Sequence, residues 1–107
     1  MATADPDDIA LADHPDRHRF ELHAGGKLAA YAEYNVLANA LLFTHTETLP
    51  GFEGRGFGSR LAAFALDDVR ARGLGAIPVC QFIAGFLRKH PDYQDLVTPA
   101  NRRAFHI

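Results

Sequence analysis

The chain has 107 residues, 48% hydrophobic and 22% charged, enough apolar matter for one small core and too little for two. Lys and Arg total 11 against 13 Asp and Glu, a formal net charge of -2 with no long block of one sign, which argues against binding carried by phosphate neutralisation along nucleic acid. The single cysteine, Cys80, can form no internal disulfide, and no cluster of Cys and His has the spacing of a structural zinc site, so no metal is expected.

Residues 1–12 are acidic and carry Pro6, without the basic start and apolar run of a signal peptide, and read as a flexible lead-in to a domain over residues 13–100. No apolar run reaches the roughly 18 to 20 residues of a membrane span. A cytoplasmic protein with no membrane partner is expected. The first strand begins near His18, Phe20 and Leu22. Gly25-Gly26 supplies a two-residue hairpin turn to a second strand from Lys27 to about Asn35, with Leu28, Ala30, Ala32 and Tyr34 on one face. A third strand, about Leu41 to Thr48, alternates Leu42, Thr44 and Thr46 against Leu41, Phe43, His45 and Glu47.

After Pro50-Gly51 the period becomes helical, with Phe57, Leu61, Phe64, Ala65 and Val69 on one face and Arg72-Gly73 at the end. A short strand from Ala76 to Cys80 follows, then a second helix carrying Phe82, Phe86 and Leu87 and stopped by His90-Pro91. The fold class is therefore mixed α/β (α+β): an antiparallel meander, then a parallel strand-helix-strand crossover and a second helix. Residues from Asp92 onward are rich in turn formers, and 101–107 read as a C-terminal tail.

The stretch from Thr44 to Arg60 carries the chemistry, because a strand enters a helix through a loop with Gly at 51, 54, 56 and 58. Glycines let successive backbone N–H groups approach an anion, the helix N-terminus adds positive partial charge, and Arg55 and Arg60 add full charges. A Walker loop would need Gly-Lys-Ser or Gly-Lys-Thr, and a dinucleotide fold would need its glycines after a first parallel strand. Neither pattern is present.

From Glu53 to Gly58 the spacing resembles the Gln/Arg-x-x-Gly-x-Gly/Ala pyrophosphate loop of the GCN5-related N-acetyltransferase superfamily. The run from His45 to Val97, with His-Thr-Glu before the loop, Pro-x-Cys-x-Phe after the helix and His-Pro-x-Tyr near the end, is similar to its short YjdJ-type branch. The resemblance implies a minimal acetyltransferase fold, acetyl-CoA as cofactor, and transfer to a primary amine; an open site without built walls suits a small polyamine or an exposed protein lysine, or else a pocket completed by another subunit. It implies cofactor contacts at Thr46, Thr48, Leu49, Gly54, Arg55, Gly56, Phe57, Gly58, Ser59 and Arg60. Glu53 stands where the family has Gln or Arg, leaving pyrophosphate to Arg55 and the backbone donors. The chain has no room for the helices and strands that wall the acceptor site in longer relatives. In the resembled fold the strands ending near Thr48 and Cys80 splay apart around pantetheine, and Pro78, which has no N–H to donate, suits either such an opening or a simple sheet edge.

Amine transfer needs a free-base nucleophile, an oxyanion stabiliser and a proton acceptor. Glu47 and His45, two apart on a strand, share a face and are candidates for the last role, while Thr46 points the other way. Cys80, just before a helix, either attacks the thioester to form an acyl-enzyme or lines the pocket as a packed residue. His90 and Tyr93 are either a helix stop with a packed ring or the group that protonates the leaving thiolate. A different class of function, a noncatalytic CoA or acyl-CoA binding module, shares the same loop. Monomer and homodimer both fit the sequence.

Overall fold

Four strands precede the first long helix, one more than the hydrophobic pattern predicts. The computed structural model describes residues 8–107. Strand β1 (Ile9–His14) pairs antiparallel with β2 (Arg19–Ala24), placing Leu11 opposite Leu22 and His14 opposite Arg19. Residues 9–12 are thus part of the sheet and not of a flexible lead-in, whose residues 1–7 lie outside the described residues. The reversal between β1 and β2 is a 3-10 turn at Pro15–Arg17, closed by His18 in the left-handed region at φ 53.

Strands β3 (Lys27–Val36), β4 (Ala40–Thr48) and β5 (Gly75–Pro78) complete a sheet of order β1-β2-β3-β4-β5. The first four strands are antiparallel and β5 runs parallel to β4. Gly25 and Gly26 both take positive φ, as their two-residue hairpin requires. Helix α1 (Phe57–Ala71) joins β4 to β5. Its end has the paired reverse bonds of a Schellman cap, Gly73 N to Arg70 O and Leu74 N to Val69 O, with Gly73 at φ 69. Helix α2 (Gln81–Lys89) follows β5, which stops at Pro78, so Cys80 is the residue capping α2 and not part of the strand.

Two register shifts correct the simple alternation. One falls between Leu22 and His23 on β2, so that Leu22 faces Ala30 while His23 faces Leu28. Ala29 is the extra residue, and Leu28 leaves the face shared by Ala30, Ala32 and Tyr34. The other lies opposite Glu33 and Tyr34: Tyr34 pairs with Phe43 and Glu33 with His45, leaving Thr44 as the extra residue in β4. Phe43 therefore turns into the core while His45 and Glu47 turn to the opposite face. One apolar cluster joins Phe20, Leu22, Leu41 and Phe43 of the sheet to Leu61, Leu66 and Val69 of α1 and Ile83 and Leu87 of α2.

The expected C-terminal tail is ordered. A 3-10 segment at Pro91–Leu96 leads to helix α3 (Pro99–Ala104), where Thr98 Oγ1 accepts the N–H of Asn101 at 3.2 Å. The Arg88 guanidinium donates to the carbonyls of Phe105 and His106, tying that end to α2.

The face of the sheet opposite the core is polar, and Glu21 is its one fully buried charged residue among those described. Burial alone would raise its carboxyl, but hydrogen bonds from His23, Arg19 and Arg17 overcome that and hold its pKa at about 2, against an ordinary 4.5. Because the native value is the lower one, the stabilisation is present above pH 4.5 and is lost as pH falls from there toward 2. The loss is on the order of 3 kcal/mol. Urea denaturation across that range is expected to show a steeper decline in the parent than in Glu21→Gln; parallel curves would mean that the network does not hold Glu21 charged.

Candidate functional site

The end of β4 and the start of α1 build a donor-rich corner. Phe52 N bonds Leu49 O in a turn, and Gly51 N donates to Glu53 Oε2 at 2.9 Å, so the Glu53 carboxylate is committed to its own loop. Gly51, Gly54 and Gly56 have φ of 90, 79 and 74, a region other residues occupy at a cost. Gly56 is the N-cap of α1, and the first backbone bond across it is Arg60 N to Gly56 O. The N–H groups of Phe57, Gly58 and Ser59 precede that bond, no side chain caps them, and the first turn has no acidic residue. This is a helix end suited to an anion.

A cleft of about 210 Å³ opens there, lined by Thr48, Phe52, Gly54, Gly56 and Phe57, with Gly58, Ser59, Glu53 and Phe82 completing it. Arg55 stacks its guanidinium 4.7 Å from the Phe57 ring, at the same corner. Arg60 is exposed one residue further along α1. The Phe82 ring of α2 lies so close to Gly58 that a Cβ there would stand 2.7 Å from its Cζ. Beyond Phe82 a second cleft of about 250 Å³ is lined by Ser59, Gln81, Phe82, Gly85, Phe86, Lys89 and His90.

Between cleft and sheet, β4 has an open edge. Its ladder with β5 ends at Phe43 opposite Pro78, where Cys80 N also donates to Phe43 O at 2.8 Å, but β4 continues to Thr48. Leu49 N bonds Ala29 O on β3, so by alternation Thr48 and Thr46 turn their backbone groups away from β3, to the side that β5 has left. Cys80 closes this edge. It is 7% exposed, and its Sγ donates to Thr46 Oγ1 at 3.3 Å. The donor-rich first turn of α2 follows it directly.

On the polar face, Tyr31 OH donates to Glu47 Oε2 at 2.7 Å, and His45 Nε2 lies 3.2 Å from the same oxygen. The Tyr31 bond, and after it His45, lowers the Glu47 carboxyl below its ordinary value, and the same bond raises the Tyr31 phenol. A carboxylate weakened as a base in this way serves better to orient and charge-balance His45 than to take a proton itself. Arg19 stacks 4.7 Å from the Tyr31 ring and donates to Glu21, so a polar row runs across three strands from Glu21 to His45. Tyr31→Phe is expected to return the Glu47 carboxyl upward toward its ordinary pKa in an NMR titration; an unmoved value would mean that the bond is not kept in solution.

The structure brings Thr46 and Cys80 together and pairs His45 with Glu47 on the opposite face of β4. His90 Nδ1 donates to Phe86 O at 2.7 Å with its ring stacked on Phe86 at 3.8 Å, beside the second cleft. Tyr93 OH is bonded to Asp67 of α1 at 2.8 Å, and burial followed by that bond raises its phenol. Its hydroxyl is therefore engaged by α1. Sequence reasoning missed Tyr31 and Phe82 as parts of the site, and it missed the meeting of His14, Glu21 and His23, which depends on a strand it did not predict.

The chain is similar to known proteins in sequence and in fold. Residues 19–96 match the sequence model of a family described as GCN5-related N-acetyl-transferase. A solved structure, the ribosomal-protein-S18-alanine N-acetyltransferase from Escherichia coli, is similar with a TM-score of 0.51 and 26% identity over 53% of this chain and 37% of that one. The chain thus matches well under half the length of that protein. No curated protein matches it.

Proposed function

The chain belongs to the GCN5-related N-acetyltransferase family, and from that premise we propose that it moves an acetyl group from acetyl-CoA to a primary amine, as a member of the short YjdJ-type branch. The observation that carries this reading is the line of features from the uncapped start of α1, along the unpaired edge of Thr46 and Thr48, to the Cys80 thiol. Acetyl-CoA fits that line end to end. Its pyrophosphate meets the N–H groups of Phe57, Gly58 and Ser59 with Arg55 and Arg60 alongside, pantetheine takes the strand edge in place of β5, and the thioester arrives beside Cys80.

Two routes to the amine fit this arrangement: direct attack, and an acetyl-Cys80 intermediate. The position of Cys80 at the end of the open strand edge, where the thioester would lie, favours the second. The Cys80 thiol would lose its proton to water as Sγ attacks the thioester carbonyl, and CoA would leave as a thiolate that takes a proton back from water, leaving a Cys80 thioester. The amine would then displace Sγ and lose its proton through water to His45, which Glu47 and Tyr31 hold in place. His90 caps the end of α2 opposite Cys80, about 15 Å along the helix, with its ring bonded to Phe86 O, and is kept as a structural group. Tyr93, bonded to Asp67, is kept as a structural group.

The polar face carries no helix among the described residues, which favours an extended amine such as a polyamine or a protein lysine over a small enclosed substrate. No helix is long and apolar enough to cross a membrane, and a cytoplasmic setting with no nucleic-acid partner suits the composition. An amine screen following release of free CoA tests the function. Acceptor-dependent thiol production supports transfer; CoA binding without turnover on any amine would favour the noncatalytic binding module.

A further inference from the structure

Two imidazoles and a carboxylate meet on the polar face, outside the cleft. We propose that His14, Glu21 and His23 bind one divalent transition-metal ion of the zinc or cobalt class, through the two Nε2 atoms and Glu21 Oε1. These three ligand atoms lie within 4.8 Å of one another. Bonds of about 2.0–2.1 Å in tetrahedral geometry set ligand atoms about 3.3 Å apart. His14 Nε2 already stands 3.3 Å from Glu21 Oε1 and His23 Nε2 stands at 2.8 Å, so these two distances change by no more than ~0.5 Å, and the imidazoles, within 4.8 Å of each other, close by at most ~1.5 Å, within the freedom of partly exposed side chains.

Backbone geometry preforms the set. Glu21 and His23 are two apart on β2, and His14 comes from the paired strand β1, opposite Arg19. A rigid sheet therefore holds all three residues without any loop having to close. The Glu21 carboxylate is oriented from behind: its Oε2 accepts from Arg19 Nε at 2.7 Å and from Arg17 Nη1 at 3.2 Å, which keeps Oε1 aimed at the imidazoles. Both histidine side chains are 34% exposed, leaving a position open to water or a further ligand. Two nitrogens with one carboxylate suit zinc, cobalt or nickel and not the oxygen-rich preference of calcium or magnesium.

Charge is the opposing consideration. The two guanidiniums repel an added cation, but Arg17 is 57% exposed and screened by water. Arg19 rests on the Tyr31 ring, opposite Glu33 in the register. Glu21 lies between these cations and the metal position, one oxygen toward each.

Cobalt(II) and zinc(II) titrations of the tag-free, metal-stripped full chain test the proposal, independently of any transferase activity. One cobalt per chain with visible d–d absorption, displaced by one equivalent of zinc, is expected. His14→Gln and His23→Gln each leave both arginines on Glu21, so the fold should persist by circular dichroism while zinc affinity falls at least about tenfold. Cys80→Ser should leave zinc affinity unchanged, separating this cluster from the thiol. Absence of one-to-one binding, or zinc affinity in the histidine variants equal to that of the parent, would overturn the site and leave an ion-pair network only.

Discussion

Cys80→Ala is expected to lower amine-dependent turnover by about 10³-fold, equivalent to roughly 4 kcal/mol of transition-state stabilisation, while CoA affinity changes by less than about threefold. The split follows from the position of Cys80. Its thiol is 7% exposed, bonded to Thr46 Oγ1 and set at the end of the strand edge, some way from the donors of α1 that would hold pyrophosphate. On the proposed covalent route, removing Sγ takes away the nucleophile and leaves the proposed anion site intact. In parallel, mass spectrometry of the parent after mixing with acetyl-CoA should find an acetyl group on Cys80 under single-turnover conditions. If the alanine variant kept turnover within about tenfold, direct attack on acetyl-CoA would replace the covalent route.

The second large effect belongs to the helix start. Gly58→Val is expected to weaken CoA binding by about 100-fold, or 2.7 kcal/mol, measured by calorimetry. A Cβ at this position would meet the Phe82 ring at 2.7 Å, and the ring is the yielding partner because it is 43% exposed. Displaced, it moves at the cost of the 210 Å³ cleft it lines, and the branched valine crowds the same N–H groups that an anion needs. Adding Phe82→Ala should recover stability lost to the clash, with affinity recovering only in so far as the displaced ring was the obstruction. A folded Gly58→Val protein that bound CoA like the parent would remove the loop from the cofactor site.

Local chemistry made some of this visible in the sequence. Gly25-Gly26 marked its hairpin, helical spacing from Phe57 to Val69 marked α1, and four glycines leading into a helix, the last of them in its first turn, marked the donor corner, because each depends on residues close in the chain. β1 escaped because IALADH sits next to an acidic, Pro-containing segment, and only pairing with β2 gives its alternation a core to face. The burial of Glu21 followed from that omission, since His14 comes from β1 and the adjoining turn brings Arg17. α3 had a legible signal, Thr98-Pro99 as cap and first helical residue, that the turn-rich composition obscured. The shared face of His45 and Glu47, with Thr46 on the other, followed from simple alternation. The separation of His45 from Phe43 did not, since a bulge is a relation between two strands.

That extra residue gives β4 two different alphabets. Up to Phe43 the odd positions build the interior; beyond Thr44 the odd positions hold the polar pair and the even ones border the thiol, at Thr46, and the cleft, at Thr48. Side-chain replacement at Thr44, which is exposed, leaves this division in place. Loss of the residue would not, because every later side chain would exchange faces, sending an imidazole and a carboxylate inward and two threonines outward. The strand is therefore tolerant of spelling at this point and intolerant of length, and a family aligned on it should vary in residue type at Thr44 without dropping the position.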